Sequence, residues 1–273
     1  MAIQLADKYS KKIVEKFYTD SVILGKTSQE YDWDGVRSVN VWSITSVAPT
    51  SYTRTGSARY GSVNEVQDTY QTMTITQDKA VALSVDKGNN TQQMLIKNAG
   101  KVMAIELREQ FIPMFDKYVL SVMKTGAGTS HTNASLTKST IVEAIGQHVT
   151  DLLNAETDPK DAYCVIGATL FGKLVLAPEF LNLEQLGTKA LDKGVVGQVR
   201  GLNIVPVPDS YLPANTNFIT FKKQCVVAPT QIKDAKIHQD PPGISGALLE
   251  IRWLYDAFVL TAKNKGVIAD VTQ

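Results

Sequence analysis

The sequence predicts an α+β fold, and three observations predict it. Residues 36–46 and the stretches around 70–76 and 81–85 alternate apolar and polar side chains as strands do. Residues 92–124 carry one apolar stripe at steps of three and four. From residue 126 onward, short helical and strand patterns alternate, and the chain then returns to strand-like sequence. A length of 273 residues allows one large domain or two small ones, with ample material for a core. With 44% hydrophobic and 20% charged residues the composition is that of an ordinary globular protein, which excludes intrinsic disorder. The balance of 28 Lys+Arg against 27 Asp+Glu argues against a dedicated nucleic-acid binder, which would carry a basic excess.

The N-terminal segment MAIQLADKYSKKIVEKF is amphipathic and lacks the apolar core of a signal peptide. Residues 8–19 read as a short helix, with Ile13 and Phe17 four apart and Lys8, Lys12 and Lys16 on another side. A helix of that length is marginal alone in water, so something must hold it. Residues 25–35 read as a linker or irregular loop. In the strand pattern of 36–46, Val39 and Val41 face one way and Trp42 and Ile44 the other. Residues 47–64 are rich in Ser, Thr, Gly and Tyr and hold Arg54 and Arg59 without an acid. Beyond them Met73 and Ile75 share one face opposite Thr72, Thr74 and Thr76, and Val81, Leu83 and Val85 alternate again. The simplest arrangement is a long antiparallel hairpin with an elaborate tip. A two-stranded ribbon is marginally stable in water, so it either folds back on its own domain or projects as an arm that binds another subunit.

The stripe over 92–124 runs through Ile96, Ala99, Met103, Leu107, Phe111, Met114, Tyr118 and Val122. A straight helix of this length would reach roughly 50 Å, and it reads as a structural spine. Pro113 is expected to kink or divide it. After the breaker at 124–135, residues 140–154 are helical with Ile141, Ile145, Val149 and Leu152 inward, and Thr140 with Glu143 is a capping-box candidate. AYCVIGA is a short buried strand and TLFGKLVLA a helix. Pro206 and Pro208 place the strand around LNIVPVPD at an edge or a strand end. Residues 217–233 hold one or two more strands, and the C-terminal part reads as strands with a turn at Asn264, Lys265 and Gly266.

Candidate chemistry fails at each place where it starts. Gly167, Gly172 and Lys173 match G-x-x-x-x-G-K after a strand, but Leu174 stands where a magnesium-binding hydroxyl belongs, and Leu170 and Phe171 are bulky for a phosphate cradle. His131, His148 and His238 form no metal-ligand spacing, and His148 reads as a helix-surface residue. Gly243 to Gly246 lacks the second glycine of a nucleophile elbow, because position 247 is Ala. Gly126 and Gly128 lack the third glycine of a dinucleotide fingerprint, and Asp32 and Asp34 are too few for a calcium loop. Cys164 and Cys225 cannot form a disulfide framework and lack metal spacing, which fits a reducing cytoplasm. No stretch approaches 18 uncharged apolar residues, so no membrane contact is expected, and the N-x-[ST] triplets at Asn89 and Asn133 read as chance matches. The expectation is no enzyme, no cofactor and no metal.

The order of these elements resembles the tailed-bacteriophage major capsid proteins of the Hong Kong 97-type fold, over essentially the whole chain. The resemblance rests on order, lengths and the ending IRWLYDAFVLTAKNKGVIA (251–269), with G-x-x-x-G at Gly197 and Gly201 before LNIVPVPD. It implies an N-terminal arm at 1–26 and a peripheral domain at 27–125, with an extended hairpin loop at 36–90 and a spine helix at 92–124. It further implies an axial domain at 126–236 and C-terminal strands at 237–273 that return to the peripheral domain. In function it implies self-assembly through pentamers and hexamers into an icosahedral phage head that encloses double-stranded DNA. Such a virion is built in the host bacterial cytoplasm with a separate scaffolding protein and a portal. Ile13, Phe17, Trp42, Arg54, Arg59, Met73 and Ile75 would then make inter-subunit contacts. DNA contact would be non-specific, with Lys222, Lys223, Lys233 and Lys236 as one candidate basic cluster. Two other readings stand beside this one: the shell of a bacterial protein nanocompartment with an enzyme cargo, and a P-loop-like nucleotide enzyme built on residues 162–175.

Overall fold

A computed structural model describes residues 21–33, 36–57, 59–63, 65–92, 98–177 and 197–272. Ile13 and Phe17 lie outside the described residues.

Strands β1 (Ser38–Ile44) and β2 (Asp68–Thr74) pair antiparallel as the alternation predicts. The hairpin ends there. Strand β3 (Gln77–Asp86), expected within the extended loop of 36–90, belongs to a different sheet. That sheet has the order β10 (Thr230–Gln239), β11 (Gly246–Tyr255), β3, all antiparallel. Helix α1 (Lys87–Gln92) follows β3.

The spine differs from its expected span of 92–124 at both ends and in its middle. Asn98 has an extended backbone, and its side-chain oxygen accepts from the N–H of Lys101 at 3.2 Å, so the helix is capped there. It runs as α2 (Ala99–Glu106), a π-turn (Leu107–Phe111) and α3 (Ile112–Thr125). In the π-turn the Ile112 N–H donates to the Leu107 carbonyl, five residues back. Pro113 has no N–H to give the preceding turn, and its ring crowds it, so the helix widens where the proline enters. The extra residue in that turn rotates everything beyond it. The predicted stripe continues through Met114, Tyr118 and Val122, which are only partly buried. The buried face slips by one residue to Phe115, Val119 and Met123, with Leu120 and Asp116 beside them. This face packs on β11, where Trp253 meets Phe111 at 5.5 Å between ring centroids and Tyr255 meets Phe115 at 5.4 Å.

The second layer is a six-stranded sheet. Its order is β4 (Thr129–Thr132), β13 (Val267–Val271), β8 (Thr216–Lys222), β5 (Ala162–Gly167), β7 (Leu202–Val207), β6 (Gly197–Val199). Helices α4 (Ile141–Asn154) and α5 (Ala168–Val175) pack on it, and Ile141, Ile145, Leu152 and Leu174 are fully buried. Among the described residues β6 reaches only Ile204 of β7, so Pro206 lies beyond the last described β6 pair. Short β9 (Val226–Val227) and β12 (Phe258–Val259) pair between the two layers.

Two expected boundaries shift. Strand β10 joins the three-stranded sheet with β11 and β3, although the segment expected as an axial domain, 126–236, includes most of it. Strand β13 inserts between β4 and β8, although 237–273 was expected to return wholly to the peripheral domain. The reason is apolar burial on both faces. VIADV is buried from Val267 to Asp270, and only an interior position of a covered sheet accommodates that. The capping box at Thr140 does not form either. The Thr140 hydroxyl accepts from the Thr137 N–H at 3.0 Å instead.

Candidate assembly interface

The hairpin is the feature whose surface the folded chain leaves unexplained. In its register Trp42 faces Tyr70 and Ile44 faces Asp68. Cross-strand pairs hold the ribbon: the Thr72 hydroxyl donates to Asn40 Oδ1 at 2.7 Å, and Ser43 and Thr69 hydroxyls meet at 2.9 Å. One face of its base packs on the body. Met73 and Ile75 are buried with Trp33, Val227 and Leu260, and Trp33 stacks on Phe258 at 5.7 Å. Met73 and Ile75 are therefore core residues of their own subunit. Both sit at the ribbon's base, where it dives under the C-terminal segment, and Met73 has no exposed surface.

Polar clamps fix the base. Gln71 Nε2 donates to the Val259 carbonyl at 3.0 Å, and its Oε1 accepts from the Thr261 N–H at 2.8 Å. The buried Asp256 carboxylate accepts from the Thr76 N–H and hydroxyl, each at 2.8 Å, on one oxygen. On the other it accepts from the Tyr118 hydroxyl and the Ala257 N–H, each at 2.7 Å. Burial first, and then this carboxylate, push the Tyr118 hydroxyl up to about 12. Asp256 thus ties hairpin, spine and C-terminal segment together.

Among the described residues, nothing covers the opposite face. Trp42 is 62% exposed, Tyr70 63% and Ile44 74%, and the Trp42 and Tyr70 rings lie 5.3 Å apart. Val47, Tyr52, Tyr60, Val63 and Val66 continue the exposed row around the tip. Tyr52 and Tyr60 pack edge to face at 5.0 Å, the Thr53 N–H donates to the Arg59 carbonyl at 3.0 Å, and Arg59 Nε donates to the Gly56 carbonyl at 3.1 Å. The tip is shaped, yet most of its large apolar groups face solvent. A contiguous exposed patch of this kind marks an interaction surface. Arg54 is exposed there, as expected of an acid-free tip.

A second anchor holds the chain just after the N-terminal segment. The fully buried Asp116 carboxylate accepts from the Ser21 hydroxyl at 2.7 Å and the Val22 N–H at 2.8 Å. Burial raises its pKa, and those hydrogen bonds oppose the rise. Lys26 donates to the Val22 carbonyl at 2.7 Å and closes the turn. Asp116→Ala is expected to leave two donors unpaired, at about 2 kcal/mol. Trypsin cleavage after Lys26 under native conditions should then accelerate at least about tenfold, since cleavage follows the open population.

The sequence pattern carried no sign of Asp256, Gln71 or Asp116, because each reaches partners about 95 to 190 residues away. The decoys resolve into structure. The Asp209 carboxylate accepts from the N–H and hydroxyl of Thr169 at the start of α5, so a carboxylate occupies the place a phosphate would need. Lys173 donates to the Leu136 carbonyl at 2.9 Å. Both cysteines are free and buried, and burial pushes the Cys164 thiol up to about 12. Of the basic cluster, Lys222 donates to the Asp158 carbonyl at 2.9 Å, Lys233 lies over the Trp253 ring at 4.8 Å, and Lys236 pairs with Asp234 at 2.6 Å. His148 is buried, not on the helix surface. No group of three or more metal-ligating side chains occurs among the described residues. No described helix is long and apolar enough to cross a membrane.

No protein-family model and no curated protein matches the chain. Solved structures do. The capsid of cyanophage P-SCSP1u is similar with a TM-score of 0.79 at 14% identity, over 98% of this chain and 93% of that one. The mature capsid of bacteriophage PhiM1 gives 0.78 at 12% identity, over 99% and 92%. The head of Helicobacter pylori bacteriophage KHP40 gives 0.69 at 12%, over 98% and 95%. The chain has the phage capsid fold. Coverage of nearly the full length on both sides means that hairpin, spine and both sheets take part in that likeness. Within the capsid fold the exposed hairpin row is a surface that a folded monomer does not need.

Proposed function

We propose that this chain is the major capsid protein of a tailed phage, and that its copies assemble through pentamers and hexamers into an icosahedral head around double-stranded DNA. The observation that carries the reading is the uncovered row from Trp42 to Tyr70 on a hairpin whose base is clamped by Asp256 and Gln71. A rigidly based ribbon with an apolar free face is suited to lie on a second copy of the same chain. Obligate interfaces of this kind bury about 2,000–5,000 Å². The near-neutral charge, 28 basic against 27 acidic residues, lets many copies pack without strong mutual repulsion. The role is structural, not enzymatic, and packaged DNA is contacted without sequence preference. A separate scaffolding protein and a portal complete the assembly.

The test is expression followed by negative-stain electron microscopy, alone and with the scaffolding protein of the same genome. Shells, rings or tubes are expected, and a monomer under every condition would overturn the reading. A sharper form reverses the tip. Arg54→Glu with Arg59→Glu should impair particle formation while the subunit keeps its circular dichroism and melting temperature, and particles of normal yield would refute a contact there.

A further inference from the structure

The six-stranded sheet buries a polar array that neither its packing nor the assembly reading uses. His148 on α4 has no exposed surface and lies between the rings of Phe218, at 4.6 Å, and His131, at 5.3 Å. Its Nδ1 meets the Thr220 hydroxyl at 2.9 Å, while its Nε2 has no hydrogen-bond partner and stands 3.9 Å from Asp270 Oδ2. Asp270, on β13, is itself buried and accepts from Asn133 Nδ2 at 2.5 Å and Asn217 Nδ2 at 2.7 Å. His131, on β4, is one-fifth exposed and bonds Asp151 of α4. From β5, the Cys164 thiol stays neutral, and the Arg200 guanidinium packs on the α4 backbone at Gly146.

The cover over this array is slight. Strand β4 has four residues and, among the described residues, is the edge of the sheet and pairs only with β13. Its His131 ring, one-fifth exposed, packs 5.3 Å from the buried His148 ring.

We propose that β4 is an acid-released flap: a proton taken up by His148 is accommodated only when β4 lifts from β13 and the His131 ring leaves it, so acidification opens this edge while the rest of the sheet stays closed. The sign follows from linkage. Burial, and then His131, hold the closed-state His148 down to about 3, against 6.5 when solvated. The open form therefore binds a proton below pH 6.5 that the closed form refuses, and closure weakens as pH falls through that window. Asp270 acts in the opposite sense, since burial raises its pKa in the closed form, and its two asparagine donors limit that rise. The imidazole effect alone favours opening by about 30-fold at pH 5 over pH 7.5.

Hydrogen exchange with mass spectrometry on the full chain tests this, with rates corrected for intrinsic pH dependence. Protection across residues 128–133 and 267–271 is expected to fall roughly 10- to 30-fold from pH 7.5 to 5. Protection in β5 and β7 should hold. His148→Gln should abolish the fall in protection toward pH 5 and leave only the opposing contribution of Asp270. A pH-invariant wild type, or an undiminished drop in His148→Gln, would overturn the proposal. Should that variant not fold, nitrogen-15 spectra of wild-type histidines decide. A neutral His148 in the closed form at pH 5 supports the flap, and a protonated one in an intact sheet overturns it.

Discussion

Asp256→Ala is expected to destabilise the subunit by about 3–5 kcal/mol, more than any other single change at the hairpin. The carboxylate is buried and accepts four hydrogen bonds. Truncation takes the acceptor from the Thr76 N–H, the Thr76 and Tyr118 hydroxyls and the Ala257 N–H; Thr76, at the exposed rim, can turn to water, whereas the buried Ala257 N–H and the half-buried Tyr118 hydroxyl lose more, at about 1–3 kcal/mol for each donor left unsatisfied. The midpoint of thermal unfolding should drop on the order of 10 °C. Protease cuts should appear around residues 75–77, where the ribbon joins β3. Asp256→Asn keeps the volume but turns an NH₂ toward donors on one side, so it should lose about half as much. A midpoint within about 1 °C of wild type for the alanine variant would mean that Asp256 does not hold the base.

Trp42→Asp combined with Tyr70→Asp should produce the opposite pattern: an intact subunit that does not assemble. Both rings are more than half exposed, so their loss removes little from the monomer's core. The pair opposes across β1 and β2, and two carboxylates placed there repel at about 0.2–1 kcal/mol, a small local cost. In an assembled interface the same charges would be desolvated without partners, at several kcal/mol per copy, and the cost repeats in every copy. Sedimentation should show subunits or capsomers in place of particles, with unchanged circular dichroism. Particles at wild-type yield would remove the free face of the ribbon from the assembly surface.

These two predictions draw on different sources. Alternation puts Trp42 and Ile44 on the face away from Val39 and Val41, and the structure keeps that division; which of the two faces is exposed, and that Tyr70 lies opposite Trp42, came from the fold. The same alternation put Met73 and Ile75 on one face but could not say what covers it. Their cover is Trp33, Val227 and Leu260, which arrive from three distant parts of the chain. His148 shows the same limit. The stripe of Ile141, Ile145, Val149 and Leu152 leaves His148 on the helix surface, yet the folded chain buries it. The partner that makes burial tolerable, Thr220, lies 72 residues away.

The sequence by itself determined the alternating strands of the hairpin, the helices around 140–154 and 169–177, and the lack of a magnesium-binding hydroxyl after Lys173. These follow from periodicity and from missing side chains, both local. Tertiary structure decided the rest. The π-turn ahead of Pro113 moved the buried face of the spine by one residue, because an added residue in a turn rotates everything after it. The last strand entered the six-stranded sheet because a stretch buried from Val267 to Asp270 needs a neighbour on both sides. The anchors at Asp116 and Asp256 exist only once distant segments meet. A buried carboxylate is tolerable where donors converge on it, and that convergence is a property of the fold.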